Sequence, residues 1–241
     1  MKKLIIGLLA VSISFYTQAQ EKTDDYKMWV GYHITLKKGK EKEAIKRIQA
    51  HDKKFHNGTG GLLYITNGEN AGDFYWVYGP NTFADYDNIN LPDGHDADNN
   101  QIATEFIEEF HETTYWKQDK ELLFEKKGNS NSTKLELEYV KLYNGKYEEF
   151  SSLIKKHLEV FKKYNLENVY TYFSRFGSKD GYSIMLEFPF TNWGDLDKDI
   201  DYKTKFESVH GEGSLKKAGE KWNECVENAY VEAVVIISAE E

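Results

Sequence analysis

The chain has 241 residues, a net charge of −9 and one cysteine, Cys225. A lone cysteine excludes an intramolecular disulfide, so the core rests on apolar burial. An acidic surface excludes a general nucleic-acid binder, which needs basic groups to displace phosphate counterions, and it disfavours docking on anionic lipid.

The chain opens as a targeting segment. Lys2-Lys3 is a charged n-region, Leu4 to Phe15 is a short apolar run, and Thr17-Gln18-Ala19 suits a small-residue cleavage site. The run is too short for a permanent span, which needs roughly 20 residues. Residues 1–19 are therefore expected to be a cleavable signal peptide, and the protein to be periplasmic or secreted. Loss of Lys2 and Lys3 takes the net charge from −9 to −11, a solubility feature rather than a partner signal.

Met28–Leu36 alternates with a strongly apolar even-numbered face and reads as a strand. Lys40–Phe55 reads as an amphipathic helix, with Ala44, Ile48, His51 and Phe55 on one side. Strands follow at Leu62–Thr66 and Phe74–Tyr78, then a short helical turn at Phe83–Asn88. Asn90–Asn100 reads as a polar loop, Ile102–Thr113 as a second helix and Glu121–Glu125 as a strand. Lys127–Thr133 is a polar linker. Beyond it the plan repeats, with strands near Leu135–Leu142, Asn168–Phe173, Tyr182–Phe188 and Val231–Ile237, and helices near Lys146–Tyr164 and Leu215–Asn228. Within that last helix Cys225 reads as a small buried hydrophobe.

The two copies are in register. His51 follows Gly39 by 12 residues and His157 follows Gly145 by 12, while Asn81–Asp87 answers Thr191–Asp197. A unit of roughly 100 residues is too long for a solenoid repeat. The order β-α-β-β-α-β is the ferredoxin-like plan. Large apolar residues on both strand faces imply that each sheet is covered twice, by helices and by the other copy's sheet. The expected fold class is α+β: two tandem ferredoxin-like domains packing sheet to sheet as an intrachain dimeric α+β barrel. The expected divisions are 1–19, 20–126, 127–133 and 134–241.

The first strand running into Gly39-Lys40-Glu41-Lys42-Glu43, and the third running into Phe83-Ala84-Asp85-Tyr86, resemble the dimeric α+β barrel superfamily. That group includes antibiotic-biosynthesis-monooxygenase-like and NIPSNAP-like domains. The resemblance implies a barrel usually built by two subunits and here supplied by one chain. In haem-degrading relatives an asparagine, a tryptophan and a histidine line the pocket. Their positions fall on Tyr32 and Glu138, on Tyr78 and Phe188, and on no histidine, so haem oxygenation is not expected.

His51 and His157 lie on apolar helix stripes, as ligand-binding or buried structural groups. Two equivalent single histidines on separate helices do not make a metal site, so neither metal nor cofactor is expected. Glu136 and Glu138 are expected to point into the barrel, Glu138 as general base, with Glu187 as a further buried carboxylate. His95 and His210 are expected on loops over the barrel mouth. Tyr32, Trp76 and Tyr78 belong to an aromatic set suited to a flat ligand. The leading reading is an exported barrel that binds or transforms a small hydrophobic or aromatic molecule by metal-independent, monooxygenase-like or isomerase-like chemistry. The other is a non-catalytic envelope scaffold. The expected partner is a small ligand, with no nucleic acid, no membrane span in the mature chain, and further self-association left open.

Overall fold

The computed structural model describes residues 27–87, 91–126, 132–178 and 180–237. The leader and most of the linker read from the sequence lie outside these residues. The strands are β1 (Met28–Leu36), β2 (Gly60–Ile65), β3 (Phe74–Asn81), β4 (Ile107–Gln118), β5 (Lys134–Leu142), β6 (Tyr170–Ser174), β7 (Ile184–Phe190) and β8 (Val226–Ile237). The helices are α1 (Glu41–Phe55), α2 (Phe83–Asp87), α3 (His95–Phe106), α4 (Tyr147–Tyr164), α5 (Tyr202–His210) and α6 (Ser214–Cys225), with a 3₁₀ turn at Trp193–Asp195.

Every strand pairing is antiparallel, and the sheet closes in the order β1-β3-β2-β8-β5-β7-β6-β4. The first four strands lie as β4-β1-β3-β2 and the last four as β8-β5-β7-β6. The spatial order is thus the same in each half. Two seams join them, β2 to β8 and β4 to β6. Closure removes the sheet edges, whose unpaired backbone groups would otherwise invite association.

Closure gives each strand an inward and an outward face, and most of the outward faces are covered by helices. In β1, β3 and β7 the more apolar face turns outward, under the helices. Ile34, Leu36, Leu62, Phe74 and Trp76 meet Ala44 and Ile48 of α1 and Ile102 and Phe106 of α3. Val140, Ile184 and Leu186 meet Phe150, Ile154 and Leu158 of α4. The other face turns inward. Ile65, Trp116, Leu135, Leu137, Tyr139, Tyr172, Met185 and Val234 form a core shared by both halves.

Helices α1 and α4 form because their apolar stripes match that outer face. In α1, Glu41 and Glu43 lie in the first turn and Lys53 and Lys54 in the last, the charge order that suits the helix dipole. Cys225 ends α6 and is fully buried, as expected.

Three sequence expectations are corrected. The second helix of the first copy ends at Phe106, not Thr113, and its strand is Ile107–Gln118 rather than Glu121–Glu125. The i, i+4 spacing of Ile102, Phe106 and Phe110 suggests a longer helix. The β-formers Thr113 to Trp116 are drawn into a ladder along the whole of β1. The same override makes Val226, not Val231, the first residue of β8. Finally, the loop expected over 90–100 holds the first turns of α3, where Asp96 and Asp98 favour a helix N-terminus.

One close approach fixes α1 on the sheet. A Cβ on Gly60 would lie 2.5 Å from the Asp52 carboxyl carbon. Asp52 is buried and accepts hydrogen bonds from Trp76 Nε1 at 3.1 Å and Tyr78 Oη at 2.9 Å. Burial nonetheless pushes its carboxyl above the usual carboxylate range. Gly60→Ala is expected to displace the carboxylate, leave the buried donors unpaired and cost about 1–3 kcal/mol in a urea titration. Gly61→Ala, where nothing lies within 4 Å, is the comparison and should be near neutral.

Candidate functional site

A cavity of about 780 Å³ occupies the barrel, lined by residues of all eight strands. Glycine makes part of this room: Gly31 and Gly61 face inward, where larger side chains would fill the space. The walls are mainly aromatic and aliphatic, including Trp29, Leu63, Trp116, Leu137, Tyr139 and Met185. Trp29 meets Tyr172 edge-on, with ring centroids 5.3 Å apart. Such walls suit a flat apolar ligand, and the volume falls in the range of ordinary small-molecule sites.

Polar groups break this wall in two places. The first is Glu187 on β7. It accepts a hydrogen bond from the Tyr172 hydroxyl, which also pairs with Gln118. Burial raises the Glu187 pKa to about 7, and the Tyr172 bond only partly offsets the rise. What surface it exposes faces the cavity, so a molecule held there can reach the carboxyl group. A carboxylate titrating near neutrality, in a cavity, has the properties of a general acid or base.

The second lies near the end of β1. Asp73 Oδ2 is 2.9 Å from His33 Nε2, and Thr35 Oγ1 donates to Asp73 Oδ1 at 2.6 Å. His111 Nε2 is 2.7 Å from Thr35 Oγ1. The β1–β4 register jumps between His33 (opposite Glu112) and Ile34 (opposite Phe110). That bulge sets His111 beside His33, with ring centroids 4.4 Å apart. Close by, Glu232 accepts hydrogen bonds from Tyr75 Oη at 2.7 Å and from Asn70 Nδ2 at 2.8 Å. Burial raises the pKa of Glu232.

Of the residues singled out from sequence, Glu187 lines this cavity, together with Trp29, Tyr139, Tyr170 and Tyr172 of the aromatic set. Glu136 and Glu138 are corrected: they alternate with Leu135, Leu137 and Tyr139, which point inward, so both carboxylates point outward on the helix side. Burial raises both pKa values, and Glu136 adds to the rise at Glu138. Tyr32, Trp76 and Tyr78 also face the helices, with Tyr32 6.3 Å from Trp76 and 6.1 Å from Tyr78 between centroids. His95 and His210 lie on helices, not mouth loops: His95 begins α3 and His210 ends α5. His51 meets His95, and His157 meets Tyr202 at 2.7 Å between Nδ1 and Oη. Burial, with a contribution from His210, depresses the His157 pKa to about 4.

The haem positions inferred from the resemblance do not fit haem in the first half. Ile48, Phe74, Trp76, Ile102 and Phe106 fill the layer beside Tyr32. The residues missed from sequence are His33, Asp73, His111, Glu232 and His56. The signal for the first lay in the odd-numbered face of β1, Trp29, Gly31, His33 and Thr35, too polar for a dry core.

No family model and no curated protein matches this sequence. Solved structures do match in fold. A "putative monooxygenase" from Lactobacillus acidophilus is 15% identical, with a TM-score of 0.54 over 88% of this chain and 94% of its own. A second "putative monooxygenase", from Fusobacterium nucleatum, is 13% identical, with a TM-score of 0.56 over 90% and 94%. A chlorite dismutase variant from Candidatus Nitrospira defluvii is 9% identical, with a TM-score of 0.53 over 88% and 91%. The fold is that of the dimeric α+β barrel proteins, as the sequence resemblance implied. Among the described residues, no helix is long and apolar enough to cross a membrane.

The raised Glu187 pKa sets a stability signature. The folded state holds this proton up to about pH 7, whereas an unfolded glutamate releases it near pH 4.3. Folding stability should therefore fall as pH rises across that window. Glu187→Gln cannot ionise and should gain up to roughly 3 kcal/mol over the parent between pH 5 and pH 8. Urea midpoints at the two pH values check this; an unchanged difference would assign the proton elsewhere.

Proposed function

We propose that the protein is an exported barrel, built from two tandem ferredoxin-like halves, that binds a small hydrophobic or aromatic molecule in the barrel and transforms it by proton transfer. The carrying observation is Glu187, poised near pH 7 on the wall of an aromatic cavity of about 780 Å³. Repetition of one strand order in both halves supports the tandem reading. The leader-like composition of residues 1–19 supports export.

In this reading the ligand lies against Trp29, Trp116 and Tyr139. Ionised Glu187 removes a proton from an activated C–H or a phenol, and the Tyr172 hydroxyl orients the carboxylate. In an isomerase the carbanion takes the proton back at another carbon. In a monooxygenase it reacts with dioxygen: one oxygen atom enters the substrate, and the other leaves as water with two substrate hydrogens. Neither course requires a metal for the proton transfer itself. No nucleic acid or membrane span enters the reading, and further self-association of the closed barrel is not required by it. The open cavity speaks against the alternative, an envelope scaffold, whose barrel its own aromatics would fill.

A thermal-shift screen with polycyclic phenols, flavins and aromatic acids tests the proposal. A ligand should raise Tm for the parent and for Glu187→Gln alike. Gly61→Leu, which fills the cavity from a strand position with open space around it, should abolish the shift. With a turned-over ligand, kcat/KM should rise through about pH 7, and Glu187→Gln should lose at least about 100-fold in kcat. No shift with any ligand would favour the scaffold.

A further inference from the structure

We propose that three histidines between α1 and α3 form a binding site for a divalent first-row transition metal, with Zn²⁺ the best fit. The site lies outside the barrel and does not depend on the cavity reading. His51 projects from α1, His56 follows its last turn, and His95 begins α3. All three present Nε2 to one point: His56 Nε2 lies 3.3 Å from His51 Nε2 and 3.1 Å from His95 Nε2. The three nitrogens lie within 4.8 Å of one another.

The spacing matches a shared ion. Two nitrogens each about 2.0–2.1 Å from one tetrahedral ion stand about 3.3–3.4 Å apart. The His56–His51 separation of 3.3 Å has that length, the His56–His95 separation of 3.1 Å is slightly shorter, and the third is no more than 4.8 Å.

Tautomers sharpen the case. His51 Nδ1 is 2.8 Å from Asp98 Oδ2, and His95 Nδ1 is 3.0 Å from Asp96 Oδ1. A carboxylate only accepts, so each of these Nδ1 atoms carries the proton and each Nε2 offers a lone pair. His56 Nε2 has one hydrogen at most. It can donate to one neighbour only, and the other neighbour's Nε2 lone pair is then left facing it without a donor, unless a cation lies between them. Carboxylates behind ligating imidazoles are the usual outer partners of a metal. Asp98 is itself fixed by Arg47 at 2.6 Å.

Three neutral imidazoles leave a fourth position open, the donor set of a catalytic rather than a closed structural site. His51 is fully buried and His56 half-buried, which places the way in on the His56 side. The second half supplies an internal contrast. His157 occupies the place of His51, but Lys162 stands at the place of His56. His157 is left with Tyr202 and His210 for neighbours.

The test strips the purified full chain with chelator and titrates it with Zn²⁺ or Co²⁺ by calorimetry and visible spectroscopy. One equivalent should bind, Co²⁺ should give the intense visible bands of a tetrahedral nitrogen site, and Zn²⁺ at a hundredfold excess over Kd should raise Tm by roughly 5–10 °C. His56→Gln, at a half-buried position past the helix, should weaken binding at least 100-fold, and Asp98→Asn about 10–100-fold. The double variant His33→Ala/His111→Ala removes the histidine pair beside Asp73 and should leave binding intact. Failure of the parent chain to bind either ion would overturn the proposal. So would binding that survives His56→Gln or disappears in the double variant.

Discussion

Backbone pairing at two seams governs the molecule. Neither half has a closed sheet of its own: β2 and β4 would be free edges of one, β8 and β6 of the other. Pairing β2 with β8 and β4 with β6 satisfies all four and leaves no free sheet edge. Most strands then carry two different faces, one toward the helices and one toward the barrel interior, although Phe110 of β4 and Val231 of β8 stay exposed. The helix-facing side is close-packed against the side chains of the helices above it. An interior enclosed by only eight strands is walled by fixed positions, so glycines at 31 and 61 leave space there and polar groups can persist in it.

Both regions of interest use the same chemistry, a carboxylate held by aromatic donors. Inside the barrel Tyr172 serves Glu187 and Tyr75 serves Glu232. Under α1, Trp76 and Tyr78 serve Asp52. In each case burial outweighs the hydrogen bonds and the pKa rises. Asp98 goes the other way, because Arg47 holds it below the usual carboxylate range. That contrast separates carboxyls whose charge is opposed by burial, Glu187 among them with a pKa of about 7, from one that stays charged and orients a neighbour.

Particular residues show how much was legible. The β1 boundaries and the α1 and α4 stripes follow from apolar periodicity, which dominates where one face is cleanly apolar. The matching places of His51 and His157, each 12 residues after a glycine, were equally plain. What periodicity could not supply was the sense of each face. The even face of β1 looked like barrel core because it is the more apolar, yet helices claim that face and the cavity claims the other. This inversion turned Glu136 and Glu138 outward and hid His33. The ends of α3 and α6 were misplaced for a different reason: Ile107 and Val226 enter ladders with strands far away in sequence, and no local signal reports such partners. His56 was passed over because it follows the helix end, off any stripe, and gains meaning only beside His95.

The β2–β8 seam also bears on how the chain reaches this state. Thr66 bonds to Ala233 across 167 residues, so the first sheet keeps an open edge until nearly the whole described chain has been made. Loop-closure entropy must be met before that pairing rewards it, which makes for slow acquisition of the native topology. Until then β2 offers Leu62, Leu63 and Ile65 along a bare edge, a template for the wrong partner. A protein closed in this way gains its protection from aggregation last, and its yield in the cell should depend more on how quickly the seam forms than on the depth of the finished core.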